Sequence, residues 1–203
     1  MTKSNFTSAK CRAASVAVIA VVIVLVAFVS SCIQSLHPIY TDETLTFEKA
    51  LLGAWTSTAG DKPNTWEFAE AGENSYSLVI TESDGKTGKF IAHLAKVGEV
   101  MFLDLYPEKL ETDSAGFYGW HFLSVHTFAV VERIDEDEFA IRNIIIDWVK
   151  EYLKANPTAI AHEWVGDFPV FTASPEELQE FHMNHLATEG AFSGPLEFVR
   201  KQG

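Results

Sequence analysis

The chain has 203 residues, 15 basic against 28 acidic, a net charge of −13, and 47% hydrophobic and 12% aromatic residues. The length is that of one domain, or two at most, and the apolar fraction is that of a packed protein rather than a disordered one. So acidic a surface disfavours nucleic-acid binding, which depends on neutralising phosphates, and it repels anionic lipid headgroups, so any membrane contact requires a covalent or apolar anchor.

The first charges are all positive. Lys3, Lys10 and Arg12 precede a stretch from Ala13 to Val29 that is apolar apart from Ser15 and carries no charge. A basic start, an apolar run and then small residues is the order of a secretory signal. The run ends on Val29-Ser30-Ser31-Cys32, which resembles the lipobox of bacterial lipoproteins: an aliphatic residue, two small ones, then cysteine. The resemblance implies that residues 1–31 are a signal peptide cut off before Cys32. It also implies that the Cys32 sulfur carries a diacylglycerol, often with a further acyl chain on the new amino group. The body would then be a lipid-anchored protein of the bacterial cell envelope. With Ile33 rather than Asp after the cysteine, the same family implies the periplasmic side of the outer membrane in a Gram-negative host.

An uncut signal anchor is the alternative. The 17 residues from 13 to 29 would span about 25 Å as a helix, slightly less than the roughly 30 Å hydrocarbon layer. Both readings keep the basic start in the cytoplasm and export the body. Losing the three leader cations takes the net charge from −13 to −16. Cys11 is the only other cysteine, so a body cut at Cys32 has neither free thiol nor disulfide, and its stability must come from its core.

Residues 32–46 read as a lipidated N-terminus and short tether, and residues 47–203 as a single β-rich domain. "SLHPIYT" (Ser35 to Thr41) resembles the opening of a group of uncharacterised bacterial lipoproteins, which implies no activity. From Leu51 to Ile146 the apolar residues recur with period two. "TWEF" puts Trp66 and Phe68 on one face, and "SYSLVIT" does the same with Tyr76, Leu78 and Ile80, with "EAGEN" as turn material between them. "SDGKTG" is a hairpin signal, because Asp-Gly favours positive φ. "KFIAHLAKV", "VMFLDLY", "WHFLSVHTFAVVERI" (one bent strand or two) and "FAIRNIII" follow, with "DEDE" reversing the chain before the last. About seven antiparallel strands at this spacing predict an antiparallel barrel-like or strongly curled sheet.

The period then changes. Asp147 is placed to cap a helix over "WVKEYLKAN", and Ser174-Pro175-Glu176-Glu177 is a capping box with proline in the first turn. "AHEWV" and "FPVFTA" read as short strands or extended arms, and "PLEFVRK" as a final strand. The expected fold class is therefore mainly β with α: a barrel-like sheet with two flanking helices in the C-terminal part.

Gly53-Ala54-Trp55, opening the first strand, resembles the start of lipocalins and related calycin barrels. In those proteins the tryptophan plugs one barrel end and a late-strand arginine stacks over it. The resemblance maps the plug to Trp55, and Arg142, on the last strand before the first helix, is the candidate arginine. An ordinary buried tryptophan at a strand start is the plainer reading.

A barrel interior would be lined by Phe90, Phe102, Tyr106, Phe122 and Phe128, either holding a small apolar ligand or filling the core. Asp104, inside "FLDLY", shares a face with Phe102 and Tyr106. It either sits inside and needs a partner, or it lies outside with Leu103 and Leu105 in the core; the cost of burying an unpaired carboxylate favours the second. His182 and His185 are three apart on a helix, with His162-Glu163 before it and His93, His121 and His126 on or beside strands. One His-x-x-His pair without a third ligand at a recognisable spacing names no metal site, and no cofactor is expected. Neither a Gly-x-Ser-x-Gly elbow nor a phosphate-binding glycine loop occurs.

Three function classes remain: a structural or interaction lipoprotein docking an envelope partner, a lipocalin-like binder of a small apolar ligand, and a metal-assisted hydrolase. The expected partners are the membrane, through the lipid, and either an envelope protein or a small apolar molecule, with no nucleic acid.

Overall fold

The computed structural model describes residues 33–108, 116–119 and 121–201; the leader and Cys32 lie outside them. Its strands are β1 (Gln34–Ser35), β2 (Leu45–Thr46), β3 (Gly53–Ser57), β4 (Thr65–Gly72), β5 (Ser75–Thr81) and β6 (Thr87–Val97). There follow β7 (Val100–Pro107), β8 (His126–Ile134), β9 (Glu138–Arg142), β10 (His162–Val165), β11 (Phe168–Phe171) and β12 (Leu196–Arg200). The helices are α1 (Gly116–Gly119), α2 (Ile146–Ala155) and α3 (Pro175–His185), with a 3-10 turn at Lys49–Leu51.

Strands β3 to β9 pair in sequence, each antiparallel to the next, and β12 pairs with both β9 and β3 while β8 pairs with β9. The result is a closed eight-stranded antiparallel barrel with two flanking helices. Closure removes the unpaired edges that an open sheet would expose. Residues 143–195, carrying α2, β10, β11 and α3, are inserted between β9 and β12.

The period-two pattern is realised as expected in β4 and β5. Trp66, Phe68, Tyr76 and Leu78 are buried inside the barrel with Trp55, Leu94, Leu103, Phe139 and Phe198. The Asp-Gly hairpin forms at 82–86, with Gly85 at φ +87° and Asp84 Oδ1 accepting from the Lys86 N–H at 3.0 Å. In the "DEDE" turn Asp135 Oδ1 accepts from the N–H groups of Asp137 and Glu138, and these bonds hold its carboxyl below the usual carboxylate range.

A second core lies outside the barrel wall. Phe102, Phe128 and Val130 on the outward face of β7 and β8 pack against Val149 and Leu153 of α2, Phe171 of β11, and Leu178 and Phe181 of α3. Strands buried on both faces read as continuous apolar runs, which explains "VMFLDLY" and "TFAVV".

Three expectations are corrected. The segment 33–46 is not a tether: β1 is hydrogen-bonded between β8 and β11, β2 pairs with β6, and Ile33 and Ile39 are fully buried. Asp147 does not cap α2. The N-cap is Ile145, without a side-chain bond, and Asp147 sits in the first turn, where a carboxylate suits the helix dipole. Within "WHFLSVHTFAVVERI" the described residues before His126 are not strand, and the strand is His126–Ile134. The capping box forms as read: Ser174 Oγ accepts from the Glu177 N–H, and Glu177 Oε2 from the Ser174 N–H.

Candidate functional site

One end of the barrel is sealed by a stacked pair. The Arg200 guanidinium lies 4.2 Å from the Trp55 ring centroid, and the indole Nε1–H donates to Leu51 O at 2.8 Å. Arg200 also donates to three carbonyls: Leu52 O at 2.8 Å, Ala50 O at 2.7 Å, and Glu136 O. One planar fork thus joins the ring, the 3-10 turn and the β8–β9 turn. Gly53 belongs to the same arrangement, with φ at +114° and room for no side chain: a Cβ there would sit 2.7 Å from Arg200 Nη1.

Arg142 is not the stacking arginine. Phe139 and Ile141 face inward on β9, so Arg142 faces outward, where it pairs with Glu132 and approaches the Phe192 ring. Arg200 follows Leu196 and Phe198 at intervals of two on the inward face of β12, a spacing visible in "PLEFVRK". Replacing Arg200 with alanine removes a cation–π contact and strands several carbonyls; the expected loss is about 2 kcal/mol, read as a lower midpoint in denaturant titration. Lysine is not expected to restore it, because an ammonium has no planar fork.

Above this plug the interior is filled by the protein's own rings. Trp66 lies 5.0 Å from Phe198 and 6.3 Å from Phe139, Phe68 lies 6.1 Å from Phe139, and Trp55 lies 5.8 Å from Phe139. Of the five aromatics expected to line the interior, Phe90 alone faces inward, half-buried in the first turn-proximal stretch of β6. Phe102 and Phe128 point outward into the second core, and Tyr106 shares their outward parity on β7. Phe122 lies exposed in the segment before β8. The reason is the doubly buried wall: when both faces are apolar, alternation defines two faces without saying which is inside.

The same wall carries a row of polar groups. Asp104 on β7 is directly opposite His93 on β6, and its Oδ1 accepts from His126 Nδ1 of β8 at 2.7 Å. Leu103 and Leu105 face the barrel interior, yet Asp104 is no surface residue. It is 0% exposed, covered by the N-terminal segment, and its Oδ2 accepts from the Ile39 N–H at 2.9 Å. The Ile39 carbonyl accepts from Gln179 Nε2 of α3 at 2.7 Å. A single residue, Ile39, is thereby fastened to the barrel through its N–H and to the helix through its carbonyl.

Tyr40 lies over His93 and Tyr106 over His126, with centroids 4.4 and 4.5 Å apart. Burial lowers the His93 pKa, and burial with the nearby Asp104 raises that of Tyr40. An imidazole oriented by a buried carboxylate is half of a nucleophile-activating device. The neighbouring serine, Ser35, is engaged elsewhere: its Oγ donates to His37 O at 2.7 Å and accepts from the His37 N–H at 3.2 Å. The geometry therefore suits fastening rather than attack. Sequence reasoning missed the row because its decisive bonds join residues 65 and 140 positions apart.

The remaining histidines are dispersed. His182 and His185 each donate Nδ1–H to the carbonyl four residues back, Leu178 O and Phe181 O. His182 then enters the second core, whereas His185 packs on Trp148 and Tyr152 of α2. His162 bonds to Ile160 O, with Glu163 exposed beside it, and His121 lies against Phe117. Among the described residues, no three His, Cys, Asp or Glu side chains are grouped so as to hold a metal ion. Beside α2 an open groove of about 570 Å³ runs to the β10–β11 hairpin, with Lys150, Lys154, Asp167 and Trp164 among its walls.

No protein-family model, curated protein or solved structure matches this chain. What these groups do is therefore argued from their own placement.

Proposed function

We propose that this is a lipid-anchored protein of the bacterial cell envelope whose exported barrel is a structural scaffold that docks an envelope partner through its outer surface. The leader and the Val29-Ser30-Ser31-Cys32 sequence support the address. The observation that carries the scaffold reading is the filled barrel: Trp55, Trp66, Phe68, Phe139 and Phe198 occupy the volume that a carrier would keep for a ligand. Recognition then falls to the outside, where Leu36, Ile91, Leu123 and Val199 are exposed.

A second reading has one observation in its favour. The arginine-stacked tryptophan under a 3-10 turn is the kind of closed end on which a lipocalin-like carrier is built, with any small apolar ligand entering from the other end, near Phe90.

One measurement separates these readings: intact mass of the protein taken from its own membranes in mild detergent. The expected mass is that of residues 32–203 plus acyl groups, and Cys32→Ala lacks the acyl increment. A full-length 203-residue precursor as the only mature species overturns the lipid anchor. A small molecule that co-purifies at one per chain overturns the scaffold reading in favour of the carrier.

A further inference from the structure

The N-terminal chain enters the domain at one defined place. β1 runs parallel to β11, with Gln34 opposite Val170, so residue 33 is reached from the side of the sheet that bears the β10–β11 turn. Ile33 is already completely buried. The residue before it is one Cα–Cα step away, about 3.8 Å, which leaves no slack between an anchor at position 32 and the folded body.

The turn beside this entry point is apolar. Trp164 is 40% exposed, Val165 65% and Phe168 50%, within five consecutive positions. Val165 and Phe168 are cross-strand partners that flank Gly166 and Asp167. With strands spaced about 4.8 Å apart, β10 lies roughly 10 Å from the backbone of β1. A membrane surface that receives the chain at residue 32 is thus brought against these side chains.

Charge does not explain the patch. Lys150 lies 4.5 Å from the Phe168 centroid and Lys154 lines the adjoining groove, but Asp147, Glu151 and Asp167 share it. Attraction to anionic lipid is therefore largely offset, and contact has to come from apolar insertion, for which an indole suits the headgroup boundary.

We propose that the β10–β11 turn, through Trp164, Val165 and Phe168, seats the domain in the interfacial layer of the bilayer that holds its N-terminal anchor. The seating rests on the membrane attachment proposed above, and it orients the barrel relative to the membrane. In the test, the full chain is purified from its own membranes, weighed intact, and reconstituted into phosphatidylcholine vesicles with or without brominated acyl chains. Brominated lipid should quench wild-type tryptophan emission more than that of Trp164→Phe. Val165→Asp should lose most of this difference while the protein stays with the vesicles, and phosphatidylglycerol should not be required. Equal quenching of wild type and Trp164→Phe overturns the seating, and leaves the turn to a protein partner. A mass without acyl groups overturns the lipid anchor alone. An uncut leader also delivers the chain at residue 32, so the quenching comparison still decides the seating.

Discussion

Asp104→Ala is expected to lower the stability of the domain by roughly 4 kcal/mol, the range in which removal of one partner from a buried pair falls. The carboxyl group takes hydrogen bonds from the His126 ring and from the backbone of Ile39, both inside a wall covered by the N-terminal segment. Alanine leaves the Ile39 N–H buried without an acceptor and His126 without its partner, and it opens a small void. For a domain of this size the loss is a fall in midpoint of roughly 10 °C by calorimetry. Asp104→Asn keeps an acceptor oxygen and should cost less. Hydrogen exchange tells a local effect from a general one: the Ile39 amide should lose protection first. Unchanged exchange at Ile39 in Asp104→Ala would show that the bond does not hold the segment down.

The second large effect is a dependence on acid. The His182 imidazole is buried among Phe102, Phe128, Phe171, Phe181 and Phe192. Nδ1 donates to Leu178 O, and Nε2 has no hydrogen-bond partner among the described residues. Desolvation, offset in part by the bond to Leu178 O and reinforced by His185, pushes the His182 pKa down from 6.5 to about 4. Between these values the unfolded chain binds a proton that the folded chain refuses, so folding is favoured increasingly as pH rises. The stabilisation is complete above pH 6.5 and is lost as pH falls toward 4, a change of about 3 kcal/mol from this one group. Denaturant titrations of wild type and His182→Leu from pH 7 to pH 4 isolate it. The wild-type curve should fall more steeply by about that amount, and parallel curves would remove His182 from the account.

The barrel was legible because period two is enforced wherever one face of a strand is buried. Trp66, Phe68, Tyr76 and Leu78 are where the alternation puts them. Turn chemistry was equally local, so the Asp-Gly hairpin and the Ser174 capping box needed no tertiary information. What failed to show in the sequence was whatever depends on a second burial surface. Phe102 and Phe128 look like lining residues, but α2, α3 and β11 give the barrel wall a second apolar face. Asp104 looks like either a misplaced core residue or a surface one, and it is buried outside the barrel beneath a segment that has no period at all. Arg142 has only its position before the first helix to recommend it, whereas the parity of Leu196, Phe198 and Arg200 points to the last strand. The fastening of the N-terminal segment left no local signature, since the polar row on the barrel wall is assembled from β6, β7, β8 and that segment.

The position of β12 has a consequence for biogenesis. The strand that completes the barrel joins β3, some 140 residues earlier, to β9 across the intervening helices and hairpin. Until β12 has docked, β3 and β9 are two bare edges, each able to pair with a neighbouring copy. Pairing partners so remote in sequence also make for slow folding. A chain built this way is exposed to aggregation until the barrel closes, and a holdase that shields strand edges would raise its yield more than one that acts on the finished protein.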